Sequence, residues 1–190
     1  MIQITATIEN NLAEFAGRQL PFAASRALNL TAVGARDEVR GNLPKRFTLR
    51  NGWTTGGVQA RTSTKTNLVA AIMAPGYMEI QETGGERRPT RSKLLAAPAT
   101  EMHSTSVTPK GKRPRALIAS GKAFVIGAGE RGAGVYQRKG RKGSKAIKLL
   151  YWLAPEQGYE ERFEFEADVQ AHVNARFSNN FLIALATAGK

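Results

Sequence analysis

The sequence predicts an α+β fold: an antiparallel sheet packed with a long N-terminal helix and a C-terminal helix, with a long basic loop or arm. Three observations predict it. Small apolar residues recur at spacings of three and four from Phe22 to about Arg40, and Val169, Val173, Phe177, Phe181 and Leu185 recur every four residues near the C-terminus. Between these stretches lie short apolar or alternating runs punctuated by glycine and proline, the pattern of strands joined by turns.

Residues 2–8 alternate, with Ile2, Ile4, Ala6 and Ile8 on one side, as a half-buried strand does. Asn10 or Asn11 then caps a short helix carrying Leu12, Phe15 and Ala16, and Pro21 fits the first turn of the next helix, where a missing N–H costs little. In that helix Ala24, Leu28, Ala35 and Val39, with Ala27 and Leu30 beside them, are small enough for close packing against a sheet or a neighbouring subunit. Gly41-Asn42 and Pro44 predict its end. Arg36, Arg40, Lys45, Arg46 and Arg50 form a first basic cluster. Strands are expected at 57–62 and 68–73 around a polar turn, and the second, Leu68 to Met73, is apolar enough for a central strand.

The single domain expected over 1–190 carries an irregular basic insert at about 84–122. Pro89, Pro98, Pro109 and Pro114 fall there, and only Leu94 to Met102 offers a short helix or strand. Beyond it come strands at 122–127 and 134–153. The latter is split by the run Gln137 to Lys145, which reads as a basic loop held out from the core, because its charges cannot be buried while Leu149 to Leu153 cannot cheaply be left in water. The acidic run Glu156, Glu160, Glu161, Glu164, Glu166 and Asp168 reads first as the start of the final helix, whose dipole it complements.

The net charge of +13 is uneven: residues 84–148 hold sixteen Lys/Arg against three Asp/Glu, so this stretch alone accounts for the excess. An anionic partner or a place in an assembly is expected. With no cysteine, disulfides and thiolate chemistry are excluded. Neither a signal-type N-terminus nor a run long enough for a membrane span is evident, so a soluble cytoplasmic protein is expected.

Gly127-x-Gly129-x-x-Gly132 comes after a predicted strand and matches the dinucleotide-binding fingerprint in form. It lacks the subsequent helix and the acidic residue about twenty positions on, so a hairpin turn is the better reading. Ala146-Ile147-Lys148 resembles the lysine strand of kinases without the loops that would complete it. His103 and His172 have no second ligand at metal spacing. No catalytic constellation, cofactor site or metal site is expected. Tyr136, Tyr151 and Trp152 lie near the basic clusters, but in apolar runs where core packing is the better reading than base stacking, and any nucleic-acid binding would be sequence-independent.

The order of several weak motifs resembles tailed-phage and prophage minor tail proteins of the Z type, also described as tail completion proteins. These are Leu20 to Ala32 (LPFAASRALNLTA), Phe47-Thr48-Leu49-Arg50 before a strand pair, Glu82-Thr83-Gly84-Gly85 with a basic sequel, Gly134-Val135-Tyr136-Gln137-Arg138 with Leu149-Leu150-Tyr151 after it, and Arg162-Phe163 leading to a helix with Phe177 and Phe181. The resemblance covers nearly the whole chain and implies a non-enzymatic virion component at the head-proximal end of the tail. It would complete the tail and join it to the head as a ring, hexameric by the usual symmetry of the neck, around the DNA channel. Implied partners are the tail terminator, the head–tail connector and packaged DNA, with residence in the virion and in the host cytoplasm during assembly. The family supplies no catalytic residues. The residues expected to contact DNA or a partner come from the charge pattern: Arg138, Lys139, Arg141, Lys142 and Lys145 on the loop, and Arg87, Arg88, Lys112, Arg113 and Arg115 on the insert. The alternative from another class is a sequence-independent nucleic-acid-binding protein.

Overall fold

The computed structural model describes residues 15–90, 92–102, 106–127, 133–140 and 146–188. Helices and antiparallel strands are both present, as an α+β fold requires. Two compact units divide the chain. One takes in Met1–Phe47, Gly52–Met78 and Phe163–Lys190; the other takes in Thr48–Asn51 and Glu79–Arg162.

In the first unit a π-helical turn, Phe15–Gln19, runs into helix α1, Leu20–Arg46, with Pro21 in its first turn. Ala23, Ala27, Thr31, Ala35, Val39 and Leu43 are all buried, one every fourth residue. They face the C-terminal helix α5, Phe165–Ala188, whose half-buried stripe Val169, Val173, Phe177, Phe181 and Leu185 has the same spacing. Asn180 donates to the Thr31 hydroxyl at 3.0 Å near the middle of α1, and Arg46 at its end meets Asp168 at the start of α5, so the two helices run antiparallel. Small side chains let them approach closely: a Cβ on Gly34 would fall 2.5 Å from His172 Nε2.

The expected stop at Gly41 to Pro44 does not occur. The helix continues through Pro44 to Arg46, because Leu43 is buried and Arg46 is gripped by Asp168 of α5 and by Glu164 just before it, which offset the one backbone hydrogen bond that proline forfeits near a helix end.

A short helix α2, Trp53–Gly57, leads to strands β1, Gln59–Arg61, and β2, Ala71–Met73, paired antiparallel from Gln59↔Met73 to Arg61↔Ala71. The expected polar turn joins them, closed by reciprocal backbone bonds between Thr64 and Asn67. Helix α1 holds this ribbon by polar groups: Ser25 and Asn29 bond Ser63, and the Arg40 guanidinium donates twice to the Val58 carbonyl. The central strand expected at 68–73 is instead one side of this two-stranded ribbon. Only Ala71–Met73 pairs, and Leu68, Val69 and Met73 are exposed, since a ribbon with one face on a helix leaves its other face open.

The second unit opens with helix α3, Glu79–Thr83, and strand β3, Gly85–Arg87, separated by Gly84 at φ +66°, a backbone region that favours glycine. Strands β4, Leu95–Pro98, β5, Phe124–Ile126, β6, Gly134–Arg138, and β7, Ile147–Ala154, make an antiparallel sheet in the order β4-β7-β6-β5. Strand β8, Gln157–Tyr159, pairs with β3 in a separate ladder. Between β4 and β5 lie 3₁₀ turns at Thr100–Met102 and Lys110–Lys112 and helix α4, Pro114–Ala119. Leu117, Ala123, Val135, Leu150 and Tyr151 form the core, with Met102 and Leu153 against it. Tyr136 and Tyr151 are core residues, while Trp152 is half exposed.

The sheet differs from expectation in membership. Residues 57–73 form their own ladder, residues 2–8 lie outside the described residues, and β4, from within the stretch read as irregular, takes an edge position. Pro98 is tolerated there because an edge strand needs fewer ladder donors.

A candidate polyanion-binding surface

The hairpin of β6 and β7 is the scaffold the sequence anticipates. Arg138 pairs with Ile147, the Lys139 N–H bonds the Ala146 carbonyl at 2.8 Å, and the Arg138 guanidinium lies 5.4 Å from the centroid of the Phe124 ring on β5. Arg138 and Lys139 are exposed. Arg141, Lys142 and Lys145 lie outside the described residues, as do His103, Gly129 and Gly132. Where a nucleotide fingerprint would need a helix after the glycine run, the chain enters strand β6, antiparallel to β5 with Ile126 opposite Gly134.

Four of the insert residues lie beside the β4 segment. Arg87 and Arg88 line a hollow of about 180 Å³ with Ser92 and Leu95 of the β4 segment. Arg113, the residue before α4, and Arg115, in its first turn, line a groove of about 560 Å³ whose walls include Ser92, Leu94, Ala96, Ile118 and Leu153. Ser92 is common to both. Lys112 sits in the 3₁₀ turn before α4 and is fixed from behind, its carbonyl accepting the Tyr151 hydroxyl at 2.7 Å. Burial raises the Tyr151 pKa, so the phenol remains a donor. Thus Arg113 and Arg115 line one groove, Arg87 and Arg88 line a hollow that shares Ser92 with it, and Arg138 and Lys139 lie at the end of strand β6.

Arg88 reaches Glu156 at 3.1 Å with its side chain 75% exposed, a pair worth little in water. Among the described residues no carboxylate pairs with Arg87, Lys112, Arg113, Arg115 or Lys139, and all five are exposed.

Within the first basic cluster Arg36 and Arg46 behave otherwise. Arg46 donates to both Asp168 oxygens at 2.6 and 2.9 Å, to Glu164 at 2.6 Å and to the Phe163 carbonyl at 2.6 Å. Arg36 pairs with Asp37, and Lys45 bonds the Asn42 side chain. Burial by itself would raise the Asp168 pKa; hydrogen bonds from Arg46 and Asn42, with the charges of Arg46 and Lys45, outweigh it and hold the carboxyl below its ordinary range. His172 pairs with Glu38 and packs on Gly34.

Among the described residues no three His, Cys, Asp or Glu side chains gather as metal ligands, and no helix is long and apolar enough to cross a membrane. The surface offers exposed guanidinium forks suited to phosphate or carboxylate oxygens. Sequence reasoning missed the apolar groove under Arg113 and Arg115, since Leu94, Ile118 and Leu153 are too far apart in the chain to show as a pattern. Compared with known proteins, the chain matches no family model, no curated protein and no solved structure.

Proposed function

We propose that this chain is a structural protein of a tailed-phage particle that works by assembly and carries out no catalysis. It completes the head-proximal end of the tail and joins tail to head within a homo-oligomeric ring, sixfold symmetry being what the family resemblance implies. The tail terminator, the head–tail connector and packaged DNA are its neighbours, without cofactor or membrane. The observation that supports this reading is the set of exposed, uncompensated cations on the second unit: Arg87, Lys112, Arg113, Arg115 and Lys139. A surface of that kind repels itself within the compact chain and attracts anionic partners.

The same cations favour a second reading, sequence-independent nucleic-acid binding in a cell. The two separate on salt dependence: a nucleic-acid binder acting alone loses affinity steeply as salt rises, whereas an assembly protein binds weakly alone and associates with itself or its partners. The test is mass spectrometry of gradient-purified particles induced from the strain that encodes the chain. Co-sedimentation with intact tailed particles at a few copies each is the expected result. Recovery with cellular nucleic acid and absence from particles would overturn the reading.

A further inference from the structure

We propose that the Arg113/Arg115 groove receives the Glu160–Glu161 edge of a second copy of this chain. The contact rests on the assembly reading above and supplies its self-interaction. The groove is apolar at its floor, where Leu94 and Ile118 are 39% and 40% exposed, and cationic at its rim, where Arg113 and Arg115 have no carboxylate partner among the described residues. Such a combination fits a segment that brings carboxylates on an apolar stem.

This chain carries one. Directly after β8, the half-buried Tyr159 leads into Glu160 and Glu161, both exposed. The neighbouring carboxylates are already engaged: Glu156 with Arg88, and Glu164 and Asp168 with Arg46. Glu160 and Glu161 form no ion pair among the described residues, nor do they meet the Arg113 and Arg115 of their own chain. Two adjacent free carboxylates and two free guanidinium groups two residues apart are therefore left on different patches of the same unit.

Because the patches differ, the contact is heterologous: each copy offers its groove to one neighbour and its acidic edge to the next, which closes into a ring or runs on as a filament. Repulsion between two chains of +13 is screened beyond about 8 Å at physiological ionic strength, while the contact pairs lie inside that range. So small a groove makes a weak interface, held mainly by multiplicity.

Sedimentation velocity of the full chain, over a concentration series at physiological ionic strength, tests the contact. Arg113→Glu with Arg115→Glu should weaken self-association by about tenfold or more, as should Glu160→Arg with Glu161→Arg, because each places like charges in contact. All four changes together should restore it, an outcome misfolding could not produce, and circular dichroism monitors the fold of each variant. A wild-type chain that stays monomeric, a reversed pair that associates undiminished, or a quadruple variant that fails to recover would overturn the proposal. If self-association fails while the chain is still found in tailed particles, this contact is wrong and the proposed function stands. Self-association of a chain absent from particles overturns the function and spares the contact.

Discussion

Arg46 and Arg113 are the same side chain in opposite circumstances. In the helical unit Arg46 is 21% exposed, saturated by Asp168, Glu164 and the Phe163 carbonyl, and it ties the end of one helix to the start of another. In the sheet unit Arg113 stands in solvent at the lip of a groove with no carboxylate near it among the described residues. The charge of Arg46 serves folding, whereas that of Arg113 faces solvent. Net charge alone therefore says little: the +13 becomes informative only when the compensated cations are set aside.

The contrast is most vulnerable at its folding end. Asp168→Ala leaves a largely buried guanidinium without its main partner and should destabilise the helical unit by about 3 kcal/mol, read as a lower urea midpoint. Gly134→Val probes what stabilises the sheet unit instead. Its Cβ would lie 2.6 Å from Leu149 Cδ1 and 2.9 Å from the Tyr151 carbonyl, so strand β6 must shift, at a cost of about 2 kcal/mol.

Acid acts on the first unit through the same ion pair. Because the Asp168 pKa is lowered on folding, the unfolded chain binds the proton more readily. The contribution of the carboxylate is therefore complete above the ordinary value of 3.8 and is lost as pH falls through the lower, folded value. In Asp168→Asn that component of acid sensitivity should vanish. Smallest in stability is Arg113→Ala combined with Arg115→Ala, expected within about 0.5 kcal/mol of wild type. If the pair contacts a polyanion, the same variant should lower the slope of log affinity against log salt by about 2, measured with a DNA duplex.

Much of the fold was legible because it rests on local periodicity. The four-residue stripe on α5 and the alanine-rich face of α1 predict a helix pair, and the basic run between two apolar strands predicts the β6–β7 hairpin. Where long-range contacts decide, the sequence misleads. Gly41 and Pro44 signal a helix end that burial of Leu43 and the grip on Arg46 override. Apolar Leu68 and Val69 suggest a core strand, yet they lie exposed on a ribbon. Proline and serine mask β4 and α4, whose anchorage comes from Tyr151, 39 residues beyond Lys112. The candidate surface was half legible for the same reason. Clusters of Lys and Arg are visible in the chain, but whether each is paired depends on acidic residues as distant as the 122 positions between Arg46 and Asp168.

If the cations of the sheet unit, and not those of the helical unit, meet the neighbours, lysine reactivity must differ between the two units on assembly. Acetylation footprinting of purified tailed particles against the free chain measures that difference. Lys112 and Lys139 should be protected in the particle, while Lys45, bonded to Asn42, and Lys65, over the Phe22 ring, should react as they do in the free chain. Equal reactivity of Lys112 and Lys139 in both states, or protection confined to Lys45 and Lys65, would contradict the account.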